Sequence, residues 1–147
     1  MNKNKEGFTL IELLVVIAII GLLSTLSILA LNSARARARD AKRIADVKQI
    51  QTALEMYYND VGDYPATASV TPGSILSSTN GTYLRAVPTP PLPTDGTSCG
   101  TGITAYTYAK TGTTGSNSSY TIQYCLGSTI NDVTGNTIQT ASPAGIY

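Results

Sequence analysis

Between Leu13 and Ala34 the chain carries no charge, and a single carboxylate, Glu12, stands at the head of this mostly apolar run. Twenty-two such residues span a bilayer as one helix. What remains of the 147 residues makes one soluble domain at most. A carboxylate inside such a run costs roughly 2.5–3.5 kcal/mol at mid-depth, so its default reading is functional, with a partner to be named.

The preceding segment suggests that partner. Met1 to Gly7 reads MNKNKEG, short and polar, with Lys3 and Lys5. Two lysines ahead of an apolar helix hold that end in the cytoplasm. Gly7 separates this leader from Phe8, at a point where a peptidase reaches the backbone. A cut there gives Phe8 a free amine, the natural counter-charge for Glu12. Two plainer readings compete. A secretory signal peptide has a shorter apolar core and a small-residue cut site; Ser33, Ala34 and Ala36 offer the small residues, but Glu12 inside the core argues against it. A plain single-span anchor explains the length and the lysines, but neither Glu12 nor Gly7-Phe8.

Gly7-Phe8-Thr9-Leu10-Ile11-Glu12 resembles the class III signal of type IV prepilins and type II secretion pseudopilins. The resemblance implies that a prepilin peptidase cuts after Gly7 and N-methylates Phe8, and that Glu12 guides subunit docking. It implies an α+β, pilin-like fold, in which a long N-terminal α-helix packs on a small antiparallel β-sheet. The expected divisions are a leader at 1–7, a transmembrane and polymerisation helix at 8–34, an amphipathic half at 35–62, and a small extracytoplasmic β domain at 63–147.

Periodicity carries the helix past the membrane. Arg35, Arg37, Arg39, Lys42 and Arg43 follow at once, and Ile44, Val47, Ile50, Leu54, Tyr57 and Val61 then recur every three or four residues as one apolar stripe. Gly62 and Pro65 are stop signals. From Thr9 to about Asp60 such a helix measures roughly 75–80 Å at 1.5 Å per residue. The basic cluster reads as a solvated face or a contact with lipid phosphates. No aromatic residue interleaves its arginines, so nucleic acid is not expected as a partner.

Beyond Pro65 the chain is rich in Thr, Ser and Gly. Ala66–Thr82 reads as a loop, and Tyr83–Val87 as one helical turn or a short strand. Pro88, Pro90, Pro91 and Pro93 predict an extended, strand-free crossing. Ala105–Lys110 and Ser119–Leu126 alternate like half-buried strands joined by a turn over 111–118, and Thr137–Thr140 is a short third strand. The stripe from Ile44 to Val61 supplies their cover. The stretch ALEMYYNDVGDYP, ending at Pro65, also resembles the end of the long helix in major pseudopilins and small type IV pilins.

Without Lys3, Lys5 and Glu6 the processed chain keeps eight basic and eight acidic side chains, too balanced to draw in nucleic acid. There is no His, which excludes an ordinary catalytic triad and a His-bearing zinc site; no enzyme is expected. Cys99 and Cys125, an even pair in the part expected outside, read as a disulfide, the alternative being two buried thiols. The resemblance favours the bond, since many type IV pilins close their C-terminal region with one. No cofactor is expected. Major pseudopilins commonly bind calcium in an acidic C-terminal loop, and here only Asp132, with Asn131, Asn136 and the distant Asp95, offers side-chain oxygens toward six to eight ligands. Calcium therefore stays open.

The expectation is a filament subunit, held in the bacterial inner membrane with its C-terminal domain outside the cytoplasm, then moved into a periplasmic or extracellular fibre. Its partners would be further copies of itself, the prepilin peptidase, an inner-membrane assembly platform, minor pilins or pseudopilins, and the membrane. Surface pilus and secretion pseudopilus are not separable on this reading. The alternative is a membrane-anchored adhesin or binding module that does not polymerise.

Overall fold

A computed structural model describes residues 7–96, 99 and 105–146, the side chain of Ser116 excepted. One helix, α1, runs Leu10–Val61. At its start Thr9 and Glu12 close on each other in a capping box. At its end Gly62 adopts φ 76°, and its N–H donates to the Tyr58 carbonyl at 2.7 Å. That is the left-handed cap glycine permits, and Pro65 lies just beyond.

The chain divides at Arg35 into two compact units. In the first, the apolar side chains from Phe8 to Leu31 are exposed along the whole run. The helix is long and apolar enough to cross a membrane, with mean hydropathy 2.8 over its most apolar stretch.

The second unit has its own core. Among the described residues, a two-stranded sheet pairs β1 (Leu76–Ser78) with β2 (Gly81–Leu84), and an antiparallel sheet has the order β3-β4-β5-β6, with β3 Thr107–Gly112, β4 Ser118–Leu126, β5 Thr137–Ser142 and β6 Gly145–Ile146. Period-two alternation sends Tyr120, Ile122 and Tyr124 inward from β4, and Tyr108 inward from β3 opposite Ile122. Val47, Ile50, Ala53 and Leu54 of α1 belong to the same core and are essentially inaccessible. Burying each larger aliphatic side chain contributes about 1.5–3 kcal/mol. Tyrosines close one end: Tyr58 stacks on Tyr64, Tyr64 meets Tyr120 edge-on, and Tyr57 meets Tyr83.

The α+β expectation holds: a long N-terminal helix with small antiparallel sheets packed on it. Several local expectations need correcting. Val61 shares the periodicity of the stripe but is 43% exposed, because the tyrosine layer finishes the core one turn earlier. The 66–82 segment is more than a loop, holding a 3₁₀ turn at Thr67–Ser69, all of β1 and the start of β2. Tyr83 and Leu84 lie in β2, so the strand reading was the right one there. The third strand runs two residues past Thr140, because Ala141 pairs across to Ile146 and Ser142 to Gly145 in a closing hairpin with β6. Gln51 of α1 fastens that hairpin, its Nε2 donating to the Ser142 carbonyl at 2.8 Å.

Candidate functional site

The first candidate is the entry to the exposed helix. Thr9 is the N-cap. Its backbone N–H donates to Glu12 Oε2 at 2.8 Å, its hydroxyl donates to the same oxygen at 2.7 Å, and the Glu12 N–H donates back to the Thr9 hydroxyl at 3.3 Å. Two N–H groups that a helix start would leave orphaned are thereby satisfied. The carboxylate also lies where the helix dipole favours negative charge. Only Oε2 is engaged among the described residues, so Oε1 is left for another donor. Phe8, Ile11, Glu12, Val15 and Val16 line one shallow groove on this part of the chain, and Phe8 is 91% exposed. Gly7, on the N-terminal side of Phe8, is exposed as well. The rest of the expected leader lies outside the described residues. In this structure Thr9 holds the Glu12 carboxylate, through the T-x-x-E spacing visible at 9–12.

The second candidate lies in the C-terminal unit, where the arginine cluster divides. Arg35, Arg37 and Lys42 are exposed, as a solvated face requires. Arg39 and Arg43 are not part of that face, which corrects the reading of the cluster as one solvated surface. Arg39 binds Asp95 bidentately, Nε to Oδ2 at 2.7 Å and Nη2 to Oδ1 at 2.6 Å. Arg43 is buried. Its Nη1 bonds Asp40 Oδ1 and Asp95 Oδ2, and its Nη2 bonds the carbonyls of Pro91 and Pro93, both at 2.8 Å. Asp40, fully buried, accepts from the N–H groups of Gly127 and Ser128 and from the Ser128 hydroxyl. One turn on, the Tyr106 hydroxyl donates to Asp46 at 2.9 Å. The signal for this network was in the spacing: Asp40, Arg43 and Asp46 continue the stripe of Val47 and Ile50 upstream at intervals of three and four. Polar residues in a core register ask for partners on the facing loops.

Hydrogen bonds from Arg39 hold the Asp95 carboxyl below the usual carboxylate range, against the opposing effect of burial, and Arg43 adds to this. The folded value lies below the unfolded value of about 3.9, so this pairing stabilises fully above about pH 4 and loses its effect as pH falls through the folded value. Asp63 has the same sign through its bond to Lys110 at 2.7 Å. Unfolding midpoints measured between about pH 5 and pH 3 are expected to fall, and Asp95→Asn is expected to flatten that fall while lowering the upper plateau.

Cys99 and Cys125 form a disulfide with Cα atoms 5.8 Å apart, beside the Gly127–Ser128 turn. Asp95 is taken by two guanidinium groups, Asp132 is exposed, and among the described residues no three carboxylate or thiol side chains group as a metal site.

Comparison with known proteins bears on the first candidate. Residues 2–28 match the prokaryotic N-terminal methylation motif. A fimbrial protein of Neisseria meningitidis serogroup B is 33% identical over 87 residues, 59% of this chain and 51% of the relative. The type II secretion system core protein G of Aeromonas hydrophila is 36% identical over 66 residues, 45% of this chain and 46% of the relative. The chain is thus similar to type IV pilins and to type II secretion core proteins G. A third relative, core protein G of Pectobacterium carotovorum, is 33% identical over 101 residues, covering 63% of this chain and 65% of its own length. The chain spans about half the length of the curated relatives it matches. No solved structure matches it. The capped helix entry, with Gly7, Phe8 and Glu12, falls inside the matched methylation motif, whereas the ion cluster at Arg39–Asp95 falls outside it.

Proposed function

We propose that this chain is a structural subunit of a filament, either a type IV pilus or a type II secretion pseudopilus. It is made as a precursor, cut after Gly7 by a prepilin peptidase and N-methylated on Phe8. The 8–34 segment anchors it in the inner membrane, with the 63–147 domain outside the cytoplasm, until an assembly platform moves it into a fibre with its own copies and minor subunits. The observation that carries this reading is the coincidence of the methylation motif with a helix whose apolar face is uncovered from Phe8 to Leu31. A heterologous contact between such faces does not close, and it propagates as a fibre.

The experiment is expression in a bacterium that has a pilus or type II secretion assembly machine, followed by shearing and intact-mass measurement. Sheared filaments built of a chain that begins at methylated Phe8 are the expected result. A chain that keeps Met1–Gly7, or one cut near Arg35, overturns the reading. A correctly cut chain that never leaves the membrane fraction supports the anchored binding module instead. Gly7→Val is expected to leave precursor in the membrane, because a branched side chain crowds the cut site.

A further inference from the structure

Arg43 sits in an oxygen cage. Its guanidinium is bonded by Asp40 Oδ1, Asp95 Oδ2 and the backbone carbonyls of Pro91 and Pro93, drawn from the helix and from the proline-rich crossing. Two carboxylates at Nη1 and two carbonyls at Nη2, gathered around one buried guanidinium, are the kind of oxygen donors that a hard divalent cation takes. We propose that Arg43 is a built-in cation: its guanidinium fills a site of calcium-like oxygen donors and makes the 91–95 crossing and the 127–128 turn independent of divalent metal.

Three observations support this. The Arg43 side chain is 3% exposed and that of Asp40 is inaccessible, so the charge is held in the interior and not merely near it. The anions are already compensated: Arg39 and Arg43 stand against Asp40 and Asp95, two charges of each sign. A divalent ion entering this cluster would find no unpaired anion, and it would meet a guanidinium that cannot lose its proton. Finally, the cage joins separate pieces of chain. Asp40 carries the Gly127 and Ser128 N–H groups on its remaining lone pairs, so the cation that orients Asp40 also orients the turn beside the disulfide. Guanidinium is suited to this because its planar fork reaches acceptors on both sides at once. The inference stands on the C-terminal unit alone and does not depend on filament assembly.

The test uses the full chain in detergent. The chain has nine tyrosines and no tryptophan, so near-ultraviolet circular dichroism of the tyrosines reports thermal unfolding of the domain. Wild type is expected to have the same midpoint in calcium chloride and in EGTA. Arg43→Ala removes the cation, leaves the oxygens, and is expected to lower the midpoint by about 10 °C or more in EGTA. Calcium, but not sodium at equal ionic strength, is expected to restore a large part of that loss. Arg43→Met, which keeps the bulk and blocks the cage, is expected to be destabilised without calcium rescue. Should Arg43→Ala be unfolded in EGTA, its refolding on addition of calcium is read by resistance to protease. Arg39→Ala is the control. It leaves Arg43 in place, so it is expected to be less stable and unresponsive to calcium. A wild-type midpoint that rises with calcium overturns the proposal. So does an Arg43→Ala variant that calcium does not help, or an Arg39→Ala variant that responds as Arg43→Ala does.

Discussion

Glu12→Ala is expected to leave cutting after Gly7, membrane insertion and the C-terminal domain intact, and to cut filament yield at least tenfold. The carboxylate stands at the start of an uncovered apolar helix, with one oxygen engaged by Thr9 and the other free among the described residues. In a fibre that helix end is surrounded by apolar neighbours, where an uncompensated carboxylate costs roughly 2.5–3.5 kcal/mol, a factor on the order of a hundred. On the proposed filament role, the amine of an incoming Phe8 would remove that cost, so docking would be favoured only where charge meets charge. Glu12→Gln separates this from helix capping. Glutamine serves the capping box as glutamate does, but it offers an ammonium no charge. Both variants are expected to fail in assembly, with processed subunit accumulating in the membrane fraction. Normal filament yield from Glu12→Gln would reduce Glu12 to a capping residue.

Cys125→Ser is expected to lower the unfolding free energy of the domain by about 3–4 kcal/mol, from the entropy of a loop closed over a separation of 26 residues. The bond binds the segment after the proline-rich crossing to the end of β4. Its loss frees the chain that carries Asp95 toward the arginines and Gly127 toward Asp40. Processing at Gly7 is expected to be unaffected. Denaturant titration of oxidised and reduced wild type beside the variant measures this. A reduced protein as stable as the oxidised one would assign the holding of this region to the ion cluster alone.

The helix was legible in the chain because its signals are local and repeated. Gly62 marks the end, and the three-to-four spacing of Val47, Ile50 and Leu54 marks the buried face, while the Thr9–Glu12 cap at the start emerged only with the structure. The central strands were legible because Tyr108 in β3 and Tyr120, Ile122 and Tyr124 in β4 fall at alternate positions; Tyr106 shares that spacing but lies just before β3, which begins at Thr107. β1 was not, because Leu-Ser-Ser has little strand preference, and its existence depends on pairing with β2. β6 is two residues long and owes its place to β5 and Gln51. The methylation motif and Glu12 stood out as a charge in an apolar run. The ion cluster did not, because Asp95 lies more than fifty residues from either arginine and no local pattern joins them. Its helix half was visible as polar residues in an apolar register, but its loop half required the fold.

The uncovered helix has one more consequence. Water cannot be its resting medium, since apolar side chains from Phe8 to Leu31 lie open on every side. A bilayer interior and a bundle of like helices are the two media that suit it, and to a leucine side chain they are nearly alike, because lipid tails are as apolar as leucine. Moving such a helix from one to the other is close to a lateral transfer between equivalent solvents. On the proposed filament role, the apolar run therefore sets where the subunit would dwell but gives it little reason to leave, and the direction of travel would fall to the few polar groups at its threshold.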